Sequence, residues 1–201
     1  MKTLKFQDNE SWMIARRGKI TGTRLKDIIS KRAGSGKKKG YYELIAERLA
    51  VEADEENPME RGLRLEEEAV KKFEEATGKA VDTSLVIWQR EDCESIAISP
   101  DGFIGETEAV EIKCLSSASH IEAWLTKEVP SEYADQVIQY FCVNDKLETV
   151  YSVFYDPRIP VKDYFVIETK RADVQEKVEA YLAYQKDTIA EINAIVVELT
   201  F

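Results

Sequence analysis

Residues 99–114 read Ser-Pro-Asp-Gly-Phe-Ile-Gly-Glu-Thr-Glu-Ala-Val-Glu-Ile-Lys-Cys, and this stretch decides the fold. Pro100 and Gly102 occupy the second and fourth positions of a β-turn around Asp101. From Val110 the chain alternates as a strand does. Val110, Ile112 and Cys114 then face one side, Glu111 and Lys113 the other. An amphipathic edge strand would explain that alternation alone. Asp101 adds something the edge strand does not need. It lies ten residues before Glu111, enough for a short hairpin to fold back and set it beside Glu111 and Lys113.

Two carboxylates held together repel unless a cation joins them. Oxygen ligands at an open site suit Mg²⁺, with Mn²⁺ as the alternative. Asp101 and Glu111 would be the ligands, and the backbone carbonyl of Ile112 offers a third oxygen. Lys113 would orient an attacking water and help to deprotonate it. Such an assembly suits phosphodiester hydrolysis, in which the cation neutralises the phosphate and an ammonium stabilises developing charge.

Working outward, Thr21 or Thr23 can cap a helix through Leu25, Ile28 and Ile29. A basic, glycine-containing loop follows at 31–40. The pattern predicts helices at 41–50 and 58–77, the second ended by Gly78. Strands are expected at 85–88, 95–98 and 110–114, then helices at 118–125 and 131–143. Strands at 149–155 and 164–167 precede a long amphipathic helix carrying Val174, Val178, Leu182, Ile189 and Ile192. A last strand is expected at 195–199. Helices around a central mixed β-sheet make an α/β chain, read as a single domain over 1–201.

The 201 residues suffice for a sizeable core, and no apolar run approaches the roughly 18 residues of a membrane span. Residues 1–8 carry no apolar signal region, so a cytoplasmic protein that meets no membrane is expected. Cys93, Cys114 and Cys142 form no CxxC pair, which argues for reduced thiols rather than a zinc or iron–sulfur site. His120 is the single histidine, which makes a Ser-His triad a poor fit. The net charge of −10 argues against a basic nucleic-acid-binding domain. Yet Arg16, Arg17 and Lys19, then Lys31, Arg32, Lys37, Lys38 and Lys39, concentrate positive charge near the N-terminus. A local basic surface can touch DNA inside a global negative balance. The 31–39 loop is either a solvated loop or a backbone contact to duplex DNA.

Asp101 with Glu111-Ile112-Lys113 resembles the PD-(D/E)xK nuclease motif, and more narrowly the lambda-exonuclease family of phage recombination nucleases. The likeness continues through Trp12 to Thr21, Arg61 to Glu66, the Ser99 turn, Tyr133 to Val137 and Tyr155 to Arg158. The bare acid and Glu-x-Lys pattern arises often by chance; the ordered succession of blocks does not. Two positions depart from the family pattern: Leu115 stands where proline is usual, and Thr23 where serine is frequent.

The resemblance implies a restriction-endonuclease-like core and a Mg²⁺-dependent exonuclease. It would degrade the 5′-ended strand of linear double-stranded DNA, release mononucleotides and leave 3′ overhangs. Glu66 would be a further metal-site acid. Its spacing on a stripe with Leu63, Val70 and Phe73 fits that role, or a position at the stripe's edge reaching solvent. Arg16, Thr23, Ser99 and Gln136 would hold phosphate, although Gln136 also reads as an ordinary boundary residue. The resemblance further implies a phage-encoded protein in a bacterial host, a homotrimeric ring around DNA and a single-strand annealing protein as partner. A restriction-type or structure-specific endonuclease is the alternative, and an inactive DNA-binding subunit a third reading. The intact Asp101, Glu111 and Lys113 speak against the last.

Overall fold

The structure, a computed structural model, describes residues 8–16, 37–49 and 58–200. The helix expected through Leu25 and Ile29, Thr23, and the basic loop before Lys37 lie outside the described residues.

Two parallel strands form the centre. β4 (Glu108–Lys113) pairs with β5 (Thr149–Tyr155), and Glu111 stands level with Ser152. β3 (Gly102–Ile104) flanks β4 and β6 (Tyr164–Lys170) flanks β5, both antiparallel, in the order β3-β4-β5-β6. A parallel pair needs a long crossover. α4 (Ser117–Thr126) and α5 (Ser131–Val143) supply it. The central strands are therefore covered on both sides, and every residue of β5 after Thr149 is buried.

One face of the sheet packs on α3 (Pro58–Thr77). Leu65, Ala69 and Phe73, one turn apart, lie on Val110, Ile112, Tyr151, Val153 and Tyr155. The other face packs on α5 and on α6 (Arg171–Thr200). Val137, Ile138, Tyr140, Phe141, Cys142 and Val178 surround Ala109 and Val150 there. α4 also meets α2 (Lys39–Arg48) through Tyr42, Ala46, Ala118 and Ile121. α1 (Asn9–Arg16) begins where Asp8 accepts the Ser11 backbone N–H at 2.7 Å. No described helix is long and apolar enough to cross a membrane.

Most helix ends follow from local chemistry. Gly78 ends α3 at φ +69°, donating its N–H to Glu74 O at 2.8 Å. Ser116 caps α4, its hydroxyl accepting the Ser119 N–H at 3.4 Å. Two expected strands turn out otherwise. Of 85–88, only Trp88 pairs: β1 (Trp88–Gln89) joins β2 (Ala97–Ile98), which is also all that pairs of 95–98. Leu85 and Ile87 are exposed, and the Ser99 hydroxyl donates to Val86 O at 2.8 Å in place of a ladder. A short apolar run does not by itself report whether a neighbouring strand exists. Residues 195–199 form the last turns of α6. No glycine or proline interrupts 171–199, and an established helix extends one bond per residue fixed, which overrides the β-branched run.

Gly102 has a packing reason. A Cβ there would lie 2.5 Å from Val81 Cγ1. Gly102→Ala is expected to destabilise the chain by about 1–3 kcal/mol, read as a fall in Tm. Gly62→Ala, inside α3 with open space around it, is the control and is expected to be neutral or stabilising. Equal Tm values for the two variants would refute the packing argument.

Candidate active site

The Ser99 turn delivers Asp101 to β4. Because Gly102 pairs with Val110, Asp101 falls opposite Glu111. Its Oδ2 accepts the Ile112 N–H at 2.7 Å, so the side chain substitutes for a strand partner at the end of the β3–β4 ladder. The Ile112 carbonyl faces the same side as its N–H in an extended strand. The alternation expected from sequence holds: Val110 and Ile112 pack under α3, while Glu111 and Lys113 face α5.

Glu111 is 2% exposed, and its carboxylate is capped by three donors. Lys113 Nζ and Gln136 Nε2, the latter at 2.7 Å, both donate to Oε1. The Tyr140 hydroxyl donates to Oε2. Gln136 and Tyr140 stand one turn apart on α5, so one helix face covers both oxygens. Lys113 also lies 4.8 Å from the centre of the Tyr133 ring.

The electrostatics follow from this crowding. Burial, then the negative charge of Glu111, push the Asp101 carboxyl up to about 7; the Ile112 N–H and Lys113 pull the other way. Glu66, half-buried on α3, adds to the upward push on Asp101 and also acts on Cys114. Burial raises the Tyr140 phenol far above its ordinary value, and Glu111 adds to it, so it remains a donor. Burial likewise pushes the Cys114 thiol up to about 12, which excludes it as a thiolate.

Asp101 therefore binds its proton more tightly folded than unfolded. Its stabilising contribution is complete below the ordinary 3.8 and is lost as pH rises through about 7. Thermal melts in chelator are expected to show this loss across that window, and Asp101→Asn to lack it. An unchanged pH slope in the Asn variant would exclude Asp101 as its source.

The structure brings Asp101, Glu111, Ile112, Lys113 and Gln136 together. Ser99 sits two residues from Asp101, with its hydroxyl engaged by Val86. Glu66 flanks the site, and among the described side chains the buried stripe of α3 is Leu65, Ala69 and Phe73. Leu63 lies outside the described side chains, and Val70 packs only partly buried. Arg16 ends α1, its side chain outside the described residues, as is all of Thr23.

Sequence reading missed the role of Tyr140. The signal was a tyrosine, rather than phenylalanine, one turn after Gln136 on a core face. It also left Arg61 and Asp156 without a role. Arg61 is 3% exposed; its Nη1 donates to Cys114 O at 2.9 Å and Leu115 O at 2.7 Å, and its Nη2 to Asp156 Oδ1 at 3.0 Å. Asp156, fully buried, also accepts from Ser117 Oγ at 2.6 Å and from Arg158 Nε at 2.8 Å. This cluster ties the chain just beyond Lys113 to the end of β5.

Among the described residues, no three Asp, Glu, His or Cys side chains form a ready-made metal cluster. The donor set nevertheless fits a hard cation. Two carboxylates on one face, the Asp101 carboxyl raised first by burial and then by Glu111, with a backbone carbonyl on the same side, are the oxygen ligands a hard cation takes.

Residues 11–147 match the YqaJ-like viral recombinase domain. A comparison with curated proteins returns no match. Among solved structures, the chain is similar to the alkaline exonuclease LHK-Exo from Laribacter hongkongensis. Identity is 29% and the TM-score 0.55, over 96% of this chain and 100% of that one. LHK-Exo in complex with dAMP matches at 30% identity and TM-score 0.55, with the same coverage. Given the match over residues 11–147 and this mixed sheet between helices, the chain belongs to the YqaJ-like viral recombinase family and is a nuclease of the phage-recombination kind.

Proposed function

We propose that this chain is a Mg²⁺-dependent 5′-to-3′ exonuclease of linear double-stranded DNA that releases 5′-mononucleotides and leaves 3′ single-stranded overhangs. The observation that carries the reading is the placement of Asp101 opposite Glu111 on β4, with Lys113 bonded to Glu111 on the same face. LHK-Exo, an alkaline exonuclease, supports it, and its complex with dAMP matches the product class of stepwise release.

Asp101, Glu111 and the Ile112 carbonyl would hold the cation, with Glu66 assisting from α3. When bound, Mg²⁺ (or Mn²⁺) would neutralise the scissile phosphate and lower the pKa of the attacking water. Lys113 would orient that water and face the developing negative charge. Gln136 would exchange its bond to Glu111 for one to phosphate. Arg16, Thr23 and Ser99 would receive the 5′-terminal phosphate, a role for which a bidentate guanidinium is suited. Residues 1–201 would act as one domain in the cytoplasm of a bacterial host. A homotrimeric ring and a single-strand annealing partner complete the proposal. A clean monomer by light scattering would reject the ring.

Linear duplex labelled at either end, with and without a 5′ phosphate, tests the activity in Mg²⁺ and then in chelator. Label release from the 5′ end that stops with chelator is the expected result. Cutting of a covalently closed circle would move the assignment to an endonuclease.

A further inference from the structure

Ser152 interrupts an otherwise apolar stretch, Val150-Tyr151-Ser152-Val153-Phe154, in the most buried strand of the sheet. It is 1% exposed, and among the described residues its hydroxyl has no hydrogen-bond partner. A buried polar group left unpaired is costly and calls for a reason. Its position offers one. Ser152 is level with Glu111 on the adjacent parallel strand, and paired residues in a sheet project to the same face. Ser152 thus stands beside Glu111, on the same face of the sheet, at the centre of the site.

Glu111 has three donors, and Lys113 is the charged one. Lys113 lies two residues along the same strand and is drawn off Glu111 if its ammonium turns to water or phosphate. That departure would strip charge and a hydrogen bond from a carboxylate that water barely reaches, a large penalty in a low-dielectric pocket. A bound cation would restore the charge but not the hydrogen bond, and Ser152 is a buried donor on the facing strand that can supply it.

We propose that Ser152 is a positioning residue for Glu111, its hydroxyl donating to the carboxylate when Lys113 leaves it. The proposal rests on the reading of Glu111 and Lys113 as the working site. The exchange would take a rotation about the serine χ1 and a turn of the carboxylate. The serine is idle in the resting arrangement and engaged in the working one, which accounts for a polar side chain kept in a dry strand without a partner.

Two measurements on the full chain decide it. In the parent background, Ser152→Ala is expected to leave Tm unchanged or raised, because it deletes an unpaired buried hydroxyl. The same variant should lower kcat about tenfold, with KM for linear duplex unchanged, as for a group that acts only beyond the ground state. Ser152→Thr, which returns the hydroxyl, should recover most of that loss. In a Lys113→Met background, where Glu111 depends on Ser152, Ser152→Ala should lower Tm by about 3 °C. Unchanged kcat in Ser152→Ala, or strictly additive Tm effects in the cycle, would overturn the proposal. The stability cycle needs no catalysis. A parent chain that leaves linear duplex intact in Mg²⁺ while the cycle shows coupling would therefore refute the nuclease site and leave the Ser152–Glu111 exchange standing.

Discussion

Lys113→Ala is expected to reduce Mg²⁺-dependent cleavage of linear duplex by roughly 10²–10⁴-fold, the range for removal of a group that assists proton transfer in the transition state. The ammonium is largely buried, touches Glu111 and lies over Tyr133, so its position is held by neighbours rather than by solvent. The fold should survive at the assay temperature, although at a lower Tm because Glu111 loses its charged donor. Glu111 keeps Gln136 and Tyr140, and the alanine fits a strand already covered on both faces. Circular dichroism and Tm would establish that the loss is chemical. Lys71→Ala serves as control, since Lys71 pairs with Glu67 on the exposed side of α3, 2.7 Å away, and is expected to leave the rate unchanged. Cleavage by Lys113→Ala as fast as by the parent would show that the site has been placed on the wrong side of the sheet.

The largest stability effect is expected at Asp156. Its carboxylate is fully buried and accepts from Arg61, Ser117 and Arg158. Burial pushes its pKa up, but the Arg158 and Ser117 donors outweigh that and hold it below the usual value. Asp156→Ala removes the buried carboxylate to which Arg61, Ser117 and Arg158 donate, and breaking a buried pair on one side costs about 3–5 kcal/mol. For a chain of this length Tm should fall by roughly 10 °C. The sign with pH is opposite to that of Asp101. A depressed pKa gives stability that is present above the unfolded value of 3.8 and is lost as pH falls through the folded value, so Asp156 contributes to acid unfolding. A Tm within error of the parent would mean that the cluster is an ornament of the fold. Loss of cleavage should accompany loss of stability, because Arg61 holds the Cys114 and Leu115 carbonyls immediately after Lys113.

Both effects involve residues that the sequence displays unequally. Asp101, Glu111 and Lys113 were readable because their message is local. A proline–glycine turn and a period of two say where an acid and a lysine point before anything is known of the remaining chain. The end of α3 at Gly78 is readable for the same reason. The failures share a cause as well. Leu85 to Ile87 looked like a strand, but strand formation needs a neighbour, and among the described residues none pairs with them. Residues 195–199 had strand-forming side chains but sat on a helix that nothing stopped. On α3, Val70 was read as the centre of the stripe, whereas Ala69 is buried and Val70 packs only partly buried beside it.

By itself, then, the sequence determined the order of helices and strands around a mixed sheet, the face on which each functional side chain of β4 lies, and the hairpin that returns Asp101. These depend on dihedral preferences and on periodicity within a few residues. Only the tertiary structure decided what surrounds Glu111: Tyr140 and Gln136 above it, Ser152 beside it, and an arginine clamp closing the strand beyond Lys113. Those partners come from strands and helices distant in the chain, 95 residues apart for Arg61 and Asp156. Whether such groups meet is set by strand register and by how helices fill the space over a sheet, and neither leaves a mark at the residues themselves.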